Sequence, residues 1–330
     1  MQPIVIALGD PAGVGPEVTA GAWEARRSHK LAPFMAVGDA ASIQAVWNGP
    51  IQRVDSPLQV ANCFDSALPV WQVEETVSVT PGCPTPEGAH CALQSLELGV
   101  GLARSGEVEA VVTAPICKER MYKIGFTYPG QTEFVADRCG VSRSNAVMML
   151  AAPGLRVVPI TTHVPLRDVA DIITEDLIVA RAQITARGLA RNFGIEHPRL
   201  ALAGFNPHAG ENGTIGTEEI EILQPAIERL RAEGIDITGP HSPDALFTPA
   251  ARQTYDVALC LYHDQALIPL KALYFDEGVN LTLGLPIIRT SPDHGTAFGI
   301  AGKGIASSGP MIAAIKTAEV MARHRAALAC

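Results

Sequence analysis

The chain has 330 residues, of which 47% are hydrophobic and 18% charged, and its formal net charge is -9. This composition predicts a globular protein with a large core and more than one lobe, and the acidic balance argues against nucleic acid and anionic membranes as partners. Without an apolar run of about 18 residues or a signal-peptide pattern, we expect no membrane span and a cytoplasmic location.

Short apolar runs alternate with longer amphipathic patterns, which predicts an α/β fold with a parallel sheet. The predicted strands are Ile4–Leu8, Phe34–Val37, Val108–Val112, Leu155–Ile160, Leu200–Ala203 and Val257–Leu261. Leu177–Leu189 and Ile220–Leu230 are predicted helices, and Pro225 should bend the second. Segment 81–88, PGCPTPEG, is predicted to be an exposed loop.

The glycine cluster GDPAGVGPE, Gly9–Glu17, follows the first predicted strand. It lacks the Rossmann dinucleotide fingerprint, because Val18 stands where a third glycine is required, and Pro16 suits the first residue of a helix. We interpret the cluster as a strand-to-helix turn at a cleft, with a purely structural turn as the alternative. A nicotinamide cofactor would then bind elsewhere.

The cysteines are odd in number, scattered and without C-x-x-C spacing, which argues against disulfides and cysteine metal sites. They are predicted to be reduced and mostly buried thiols. They are Cys63, Cys83, Cys91, Cys117, Cys139, Cys260 and Cys330.

Three histidines, His163, His208 and His263, each follow a predicted strand. Ligand sites gather at the carboxyl ends of parallel strands, so these histidines can converge on a divalent metal ion such as zinc. Open positions on that ion would bind and acidify a substrate hydroxyl. Each histidine alone also fits a cap or a hydrogen-bonded core residue, and that alternative stays open.

A second glycine-rich segment, SPDHGTAFGIAGKGIASSGP, covers Ser291–Pro310 and lets backbone amides approach a ligand ahead of a helical pattern. The part DHGTAFGIAGKGIA resembles the cofactor loop of the isocitrate and isopropylmalate dehydrogenase superfamily, whose members bind dinucleotide without a Rossmann fold. The resemblance implies NAD or NADP as cofactor. The implied cofactor-binding residues are His294, Gly295, Gly302 and Gly304.

Further motifs extend the similarity over nearly the whole chain: GDPAGVGPE, TAPICKERMYKIGFTYPGQTEF, TTHVPLRD, GFNPHAGENGTIGTEE, GPHSPDALF and YHDQALIPLK. Together they resemble the 4-hydroxythreonine-4-phosphate dehydrogenase (PdxA) family. The resemblance implies a two-lobed, isocitrate/isopropylmalate dehydrogenase-like fold with a central cleft and no Rossmann fingerprint. Residues 1–125 and 285–330 would form the cofactor-side domain, and residues 126–284 the domain for metal, substrate and dimerisation.

The implied reaction is NAD-dependent oxidation of 4-phosphohydroxy-L-threonine at its C3 hydroxyl, in pyridoxal 5'-phosphate biosynthesis. Decarboxylation then gives 3-amino-2-oxopropyl phosphate. The resemblance also implies one divalent ion, zinc, magnesium or cobalt, on His163, His208 and His263. It further implies a homodimer in which two subunits share this metal site.

The substrate residues implied by the resemblance are Thr132, Lys271, Asn280 and Arg289, a donor-rich set that suits a phosphate and a carboxylate. Gln131 stands where the family's GHTEF motif usually has histidine, and a glutamine can donate a hydrogen bond but cannot carry charge. Asp244 and Asp264 are candidates for proton handling or for orienting a neighbour. No general base is assigned.

Other functions stay open. Gln131 raises the possibility of a related dehydrogenase for another substrate, such as a cis-dihydrodiol or another hydroxy acid. A phosphate acyltransferase of related fold would share a glycine-rich anion site, but it needs neither the three histidines nor the DHGTAFGIAGKGIA loop. A non-catalytic metal module is disfavoured, because the polar groups indicate a substrate cleft rather than a closed ligand set.

Overall fold

Strands and helices alternate along residues 2–74 and 80–328, the parts of the chain that the computed structural model describes. The strands are β1 (Ile4–Ala7), β2 (Phe34–Gly38), β3 (Ile51–Arg53), β4 (Leu68–Gln72), β5 (Ala110–Thr113), β6 (Val147–Ala152), β7 (Leu155–Pro159), β8 (Leu200–Ala203), β9 (Ile237–His241), β10 (Val257–Cys260), β11 (Val279–Leu283) and β12 (Arg289–Pro292). The α-helices are α1 (Gly15–Glu24), α2 (Arg26–His29), α3 (Ala40–Gln44), α4 (Val60–Cys63), α5 (Pro86–Ser105), α6 (Lys118–Lys123), α7 (Gln131–Arg138), α8 (Val169–Ile172), α9 (Glu175–Phe193), α10 (Gln224–Ala232), α11 (Pro243–Leu246), α12 (His263–Tyr274) and α13 (Gly309–Leu328).

The chain divides into two compact units. The first consists of Met1–Arg143 and Leu285–Arg323, and the second of Ser144–Gly284 and His324–Cys330. The roles predicted for two domains, cofactor binding in one and metal and substrate binding in the other, stay predictions.

In the first unit the strands are ordered β3-β4-β2-β1-β5-β12, and all their pairings are parallel. Every residue of β1 is buried, as expected for a strand covered on both faces. The buried Ser95 of α5 accepts a hydrogen bond from Leu8 N at 2.9 Å and donates one to Val37 O at 2.6 Å. Helix α5 therefore fixes the carboxyl ends of β1 and β2, where the glycine cluster begins.

In the second unit the strands are ordered β11-β6-β7-β10-β8-β9. The pairings among β7, β10, β8 and β9 are parallel, as predicted. Strand β6 was not predicted, and it pairs antiparallel with both β11 and β7. The two residues Pro153 and Gly154 join β6 to β7, and so short a connection permits only antiparallel pairing. The expectation of a wholly parallel sheet was therefore wrong for this unit.

The six runs predicted as strands are all strands, with ends shifted by at most two residues. Helix α9 contains the predicted helix Leu177–Leu189. The predicted helix Ile220–Leu230 is divided: Glu219–Leu223 is a π-helical turn, and α10 follows with Pro225 in its first turn. Pro225 thus lies just after the π-helical turn, in a backbone that is helical on both sides, and the bend expected there stays a prediction.

Segment 81–88 is a loop only as far as Thr85, whose hydroxyl accepts a hydrogen bond from Gly88 N at 3.1 Å and caps α5. The prediction missed this helix start, although Thr85–Pro86 matches a cap followed by proline.

The six cysteines within the described residues are free thiols, as predicted. The expectation that most are buried was wrong, because only Cys91 and Cys260 are buried. Three others lie at helix ends, where side chains reach solvent: Cys63, Cys117 and Cys139. Cys330 lies outside the described residues. Among the described helices, none combines the length and the apolar character that a membrane crossing requires.

Candidate active site

The three predicted ligand histidines follow three neighbouring parallel strands of the second unit, in the order β7, β10, β8. His163 follows β7, His263 opens helix α12 after β10, and His208 follows β8. Since the strands are parallel, their carboxyl ends lie at one edge of the sheet. The placement of each histidine after a strand is as the sequence predicted.

His163 and His263 lie close together, with ring centres 5.7 Å apart. Just before them, the buried Thr161 hydroxyl donates to Leu261 O at 2.8 Å, which extends the pairing of the two segments beyond the strands. A zinc ion lies about 2.0–2.1 Å from a ligating imidazole nitrogen, so two such rings at a tetrahedral angle have centres roughly 5 Å apart. The spacing of these two rings is close to that value and fits a shared ion.

His263 also has an acidic neighbour that fixes its ring. Its Nδ1 lies 2.7 Å from Asp264 Oδ1. A carboxylate only accepts, so Nδ1 donates to it, and Nε2 is left as the nitrogen that can bind a metal. Asp264 thus contacts a histidine in the way that orienting carboxylates do at metal sites, rather than as an isolated acid.

A cavity of about 220 Å³ opens beside this pair. It combines the two imidazoles and the Asp264 carboxylate with apolar walls from Val164, Leu166 and Val169. Thr161 and Tyr262 complete the lining. A polar end against apolar walls is typical of sites for small ligands.

His208 lies in a loop of unusual backbone conformation. The run His208–Asn212 has positive φ at every residue, between 43° and 76°. Each non-glycine residue in that conformation costs about 1–2 kcal/mol, and four of the five are not glycine. His163 also has a positive φ, of 54°. Such strain persists where surrounding contacts impose it, and it is concentrated at functional sites.

A buried carboxylate holds the start of the His208 loop. Glu219 is 3% exposed, and its Oε1 accepts hydrogen bonds from Phe205 N at 2.8 Å and Asn206 N at 2.7 Å. Its Oε2 accepts from Asn206 Nδ2 at 2.9 Å. Hydrogen bonds to a charged group contribute about 1.5–3 kcal/mol each. Three such bonds are of the same order as the strain of the loop.

The glycines of GFNPHAGENG are required by this close packing. A Cβ at Gly204 would lie 2.9 Å from Ala209 Cα, and a Cβ at Gly210 would lie 2.6 Å from Glu219 Oε2. The loop therefore folds back over the Glu219 carboxylate, and small residues make that approach possible. The close approach of the loop to Glu219 explains the glycines on either side of His208.

Asp244 is close enough to His208 for their charges to interact. The Ser242 hydroxyl donates to the Asp244 carboxyl and holds its pKa below the usual range, and His208 adds a smaller effect in the same direction. Asp244 is therefore ionised at neutral pH and suits an accepting role. Within residues 2–74 and 80–328, no group of three or more His, Cys, Asp or Glu is arranged to hold a metal ion. The site of all three histidines stays a prediction.

Two predicted substrate residues lie in the second unit. Lys271 is on α12, about two turns after His263, and Asn280 is on β11. Both are half-buried.

The other substrate residues cluster around Arg289 in the first unit. Arg289 is 3% exposed, and its Nη2 donates to Thr113 Oγ1 at 2.9 Å and to Gln131 Oε1 at 3.0 Å. Its Nη1 lies 3.5 Å from Thr132 Oγ1. Burial lowers the pKa of Arg289 to about 10, against the attraction of Glu133. Arg289 is still a cation at neutral pH, and its burial favours an anionic ligand.

Both polar atoms of the Gln131 side chain form hydrogen bonds near Arg289. Its Nε2 donates to Ala114 O at 2.9 Å while its Oε1 accepts from Arg289. Gln131 and Thr132 open helix α7, whose N-terminal amides also favour an anion. In this structure Gln131 orients the arginine, a contact for which no charge on Gln131 is needed.

The two glycine-rich segments meet in the first unit. Val14 N donates to Thr296 O at 3.0 Å, and Gly302 N donates to Glu17 Oε2 at 2.9 Å. The cluster 9–17 joins β1 to α1, as predicted for a strand-to-helix turn. It also supports the segment that was predicted to bind cofactor, a contact that the sequence did not indicate.

Parts of that segment suit a ligand. His294 Nδ1 contacts Gly295 O at 2.9 Å, whereas its buried Nε2 has no hydrogen-bond partner among the residues described. A Cβ at Gly295 or Gly304 would meet nothing within 4 Å. Packing therefore does not demand glycine at Gly295, which fits a backbone that a cofactor approaches closely. Gly302 packs against Pro81, so its role is at least partly structural.

Sequence reasoning missed three residues that hold the candidate site together. Thr113 contacts Arg289, Glu219 anchors the His208 loop, and Gln265 lies buried beside His263. Thr113 opens the quoted motif TAPICKERMYKIGFTYPGQTEF and Gln265 lies in YHDQALIPLK, but neither motif indicated which partner the residue contacts. Glu219 ends the motif GFNPHAGENGTIGTEE, and an acid after a glycine-rich loop was the available signal.

The strands and helices of the two units define an α/β protein, and solved structures of dehydrogenases share its fold. Residues 30–318 match the family model described as pyridoxal phosphate biosynthetic protein PdxA. The chain belongs to the PdxA family and is an oxidoreductase.

Comparisons with individual proteins agree with the family. The chain is 56% identical to a 4-hydroxythreonine-4-phosphate dehydrogenase of Zymomonas mobilis over 329 residues, covering 100% of this chain and 98% of the relative. The crystal structure of the Klebsiella pneumoniae enzyme of that name matches with a TM-score of 0.86 at 36% identity, over 98% of this chain and 100% of that one. A terephthalate 1,2-cis-dihydrodiol dehydrogenase from Burkholderia xenovorans matches with a TM-score of 0.65 at 28% identity, over 97% and 98% of the two chains.

We predict that Gly210→Ala destabilises the second unit more than Gly234→Ala does. Both glycines have positive φ, of 76° and 84°, so both variants lose about 1–2 kcal/mol from the strained alanine backbone. Only at Gly210 would the new Cβ collide with Glu219, which adds about 1–3 kcal/mol. Urea unfolding of the two variants measures the difference. Equal losses would contradict the packing of the loop over Glu219.

Proposed function

We propose that this enzyme catalyses NAD-dependent and divalent-metal-dependent oxidation of 4-phosphohydroxy-L-threonine at the C3 hydroxyl. The β-keto acid that forms then loses carbon dioxide and gives 3-amino-2-oxopropyl phosphate. The observation that carries the proposal is the pair of His163 and His263, with Asp264 on the second, at the carboxyl ends of adjacent parallel strands in a PdxA-family chain.

The oxidation removes a hydride from C3 and the proton from its hydroxyl, and the hydride reduces the nicotinamide ring. A bound divalent ion would lower the pKa of that hydroxyl and stabilise the negative oxygen. His163, His208 and His263 would hold the ion. Asp264 keeps the His263 ring oriented through Nδ1, and Glu219 keeps the His208 loop in place.

Decarboxylation requires little from the protein. In a β-keto acid, the electrons of the breaking carbon–carbon bond move to the ketone, and the resulting enol takes up a proton at carbon. Donors that face the ketone oxygen assist that step. Lys271 and Asn280 are our candidates for contacts to the substrate in the second unit.

An anionic group of the substrate is assigned to Arg289. Its buried guanidinium, the Thr132 hydroxyl and the N-terminal amides of α7 present donors from one place in the first unit. A planar guanidinium matches two oxygens of a phosphate or carboxylate. Gln131 supports this assignment, because it holds Arg289 with the neutral oxygen of its amide.

The segment from His294 to Gly304 is assigned to the cofactor, NAD or NADP. Two features support this assignment. The buried Nε2 of His294 has no hydrogen-bond partner among the described residues, and a Cβ at Gly295 would meet no atom within 4 Å. The turn of residues 9–17 braces it through Glu17.

A related dehydrogenase with a cis-dihydrodiol or another hydroxy acid as substrate is the second candidate. The motif resemblance favours it at one position, because Gln131 stands where the family's GHTEF motif usually has histidine. The buried Arg289 argues for an anionic substrate, which the phosphorylated one is, because a substrate without an acidic group would leave a desolvated cation without a counter-charge from the ligand.

We also propose that the enzyme is a homodimer with a metal site shared by the two subunits. Large apolar side chains in the second unit are exposed, and several lie near the histidine loops. They include Leu166, Ile215, Ile220, Ile268 and Phe275, which are 42–74% exposed. Clusters of exposed apolar residues mark interaction surfaces, and a second copy of the chain is the expected partner.

The reaction is tested by mixing the purified protein with 4-phosphohydroxy-L-threonine and NAD and following NADH. We expect turnover to be lost on chelator treatment and restored by zinc, magnesium or cobalt ions.

His208→Ala and His263→Ala should abolish turnover, whereas His197→Ala, at an exposed histidine of the same unit, should not. A folded His208→Ala variant with near-normal rate would refute the metal site. Metal-restored protein that oxidises only a cis-dihydrodiol would establish the second candidate.

Replacement of Arg289 by lysine tests the anion site. Arg289→Lys loses the planar pair of donors, so we expect KM for the phosphorylated substrate to rise roughly 10- to 100-fold. Arg53→Lys, at an exposed position of β3, is the matched control and should leave KM unchanged. Steady-state kinetics provide the measurement. An unchanged KM in Arg289→Lys would show that the substrate anion binds elsewhere.

The dimer is tested by placing a charge on the apolar surface. We expect Ile268→Glu and Phe275→Glu to shift the sedimentation of the protein from dimer to monomer and to remove turnover. Leu58→Glu, at a residue of the first unit that is 84% exposed, should keep the wild-type sedimentation. If wild-type protein sediments as a monomer and is active, the shared site is wrong.

A further inference from the structure

The histidines of the candidate metal site stand on three separate segments that follow strands, so their placement within one chain depends on what joins those segments. Thr161 joins the first two, because its hydroxyl and its backbone N–H both donate to Leu261 O. This contact continues the ladder between β7 and β10. The relation between the His263 segment and the His208 segment needs a different connection, since β8 ends at Ala203, well before His208.

Gln265 provides the first part of that connection. It lies in the first turn of α12, two residues after His263, and is 8% exposed. Its Oε1 accepts from Leu261 N at 2.6 Å, and its Nε2 donates to Gly204 O at 2.8 Å. One buried amide thus ties the residue after β10 to the residue after β8. Both ends of the amide are used, so neither leucine nor glutamate could make the same bridge.

Glu219 provides the second part. Its carboxylate accepts from the backbone N–H groups of Phe205 and Asn206, the two residues that follow Gly204. It also accepts from the Asn206 side chain, two residues before His208. A buried carboxylate is unfavourable unless it is hydrogen-bonded, and here both oxygens accept from the two residues Phe205 and Asn206. The contacts are therefore specific to the entry of the His208 loop.

We propose that Gln265 and Glu219 are positioning residues, which link the start of α12 to the His208 loop by one continuous path of hydrogen bonds. The path runs from Leu261 through Gln265 to Gly204, and from the adjoining amides to Glu219. It holds the entry of the His208 loop against the start of α12 before any metal binds. This inference rests on the proposed metal-dependent function.

The first test asks whether the path orders the loop in the metal-free protein. Glu219→Gln replaces one carboxylate oxygen by an amide nitrogen, which donates and does not accept. This nitrogen would face the donor groups of Asn206, so at least one hydrogen bond to the loop would be lost. Hydrogen exchange at the amides of Phe205 and Asn206 should become at least about 10-fold faster. Glu221→Gln, at an exposed acid in the same π-helical turn, is the matched control and should exchange as wild type does. Unchanged exchange in Glu219→Gln would overturn the role of Glu219.

The second test measures Co²⁺ binding to the metal-free protein, by affinity and by the visible absorption of the bound ion. We expect the dissociation constant to rise about 10- to 100-fold in Glu219→Gln and in Gln265→Glu, and the absorption to change with ligand geometry. Melting temperatures close to the wild-type value would separate this effect from a general loss of fold. Wild-type affinity and spectrum in both variants would overturn the proposal.

The two tests distinguish a failure of the inference from a failure of the proposed function. If wild-type protein binds no Co²⁺, the metal-dependent function is wrong, whereas faster exchange in Glu219→Gln alone would still support the path between the loops. If wild-type protein binds Co²⁺ and the variants bind it equally well, the function stands and the positioning role is refuted.

Discussion

The candidate site of the second unit depends on the parallel pairing of β7, β10 and β8. Because these strands run side by side in one direction, the segments that follow them emerge at the same edge of the sheet, and each carries a histidine. Residues far apart in the chain thereby become neighbours, as the ring centres of His163 and His263 show at 5.7 Å. The hydrogen bonds of Thr161 extend this alignment past the ends of the strands.

Alignment of the strands alone does not fix the loops, and the His208 loop is held in a conformation that its backbone disfavours. Its left-handed run is stabilised from within the protein by a buried carboxylate, whose three hydrogen bonds are of the same energetic order as the strain. Glycines at 204 and 210 give the loop room over Glu219. The strain, the acid and the glycines are therefore parts of one arrangement, which no single residue explains.

The first unit contains a buried cation, Arg289, which hydrogen-bonds neutral side chains and is attracted by Glu133. Thr113 and Gln131 orient the guanidinium of Arg289 while burial disfavours its charge, so an anionic ligand is favoured there. In the same unit, two glycine-rich turns support one another through Glu17 and Thr296. The amide of Gln131 accepts from Arg289 through its oxygen and donates to Ala114 O through its nitrogen, which is consistent with the anion site that we propose.

The sequence by itself determined the α/β class, six of the strands and the positions of the three histidines after strands, because period and composition are local properties of the chain. Its motifs also indicated the PdxA family. Only the tertiary structure decided that β6 pairs antiparallel and that a π-helical turn precedes Pro225. The same is true of the partners of Gln265, Glu219 and Thr113, because those contacts join residues that are distant in sequence. Hydrogen bonds of this kind leave no periodic trace, so a single sequence cannot predict them.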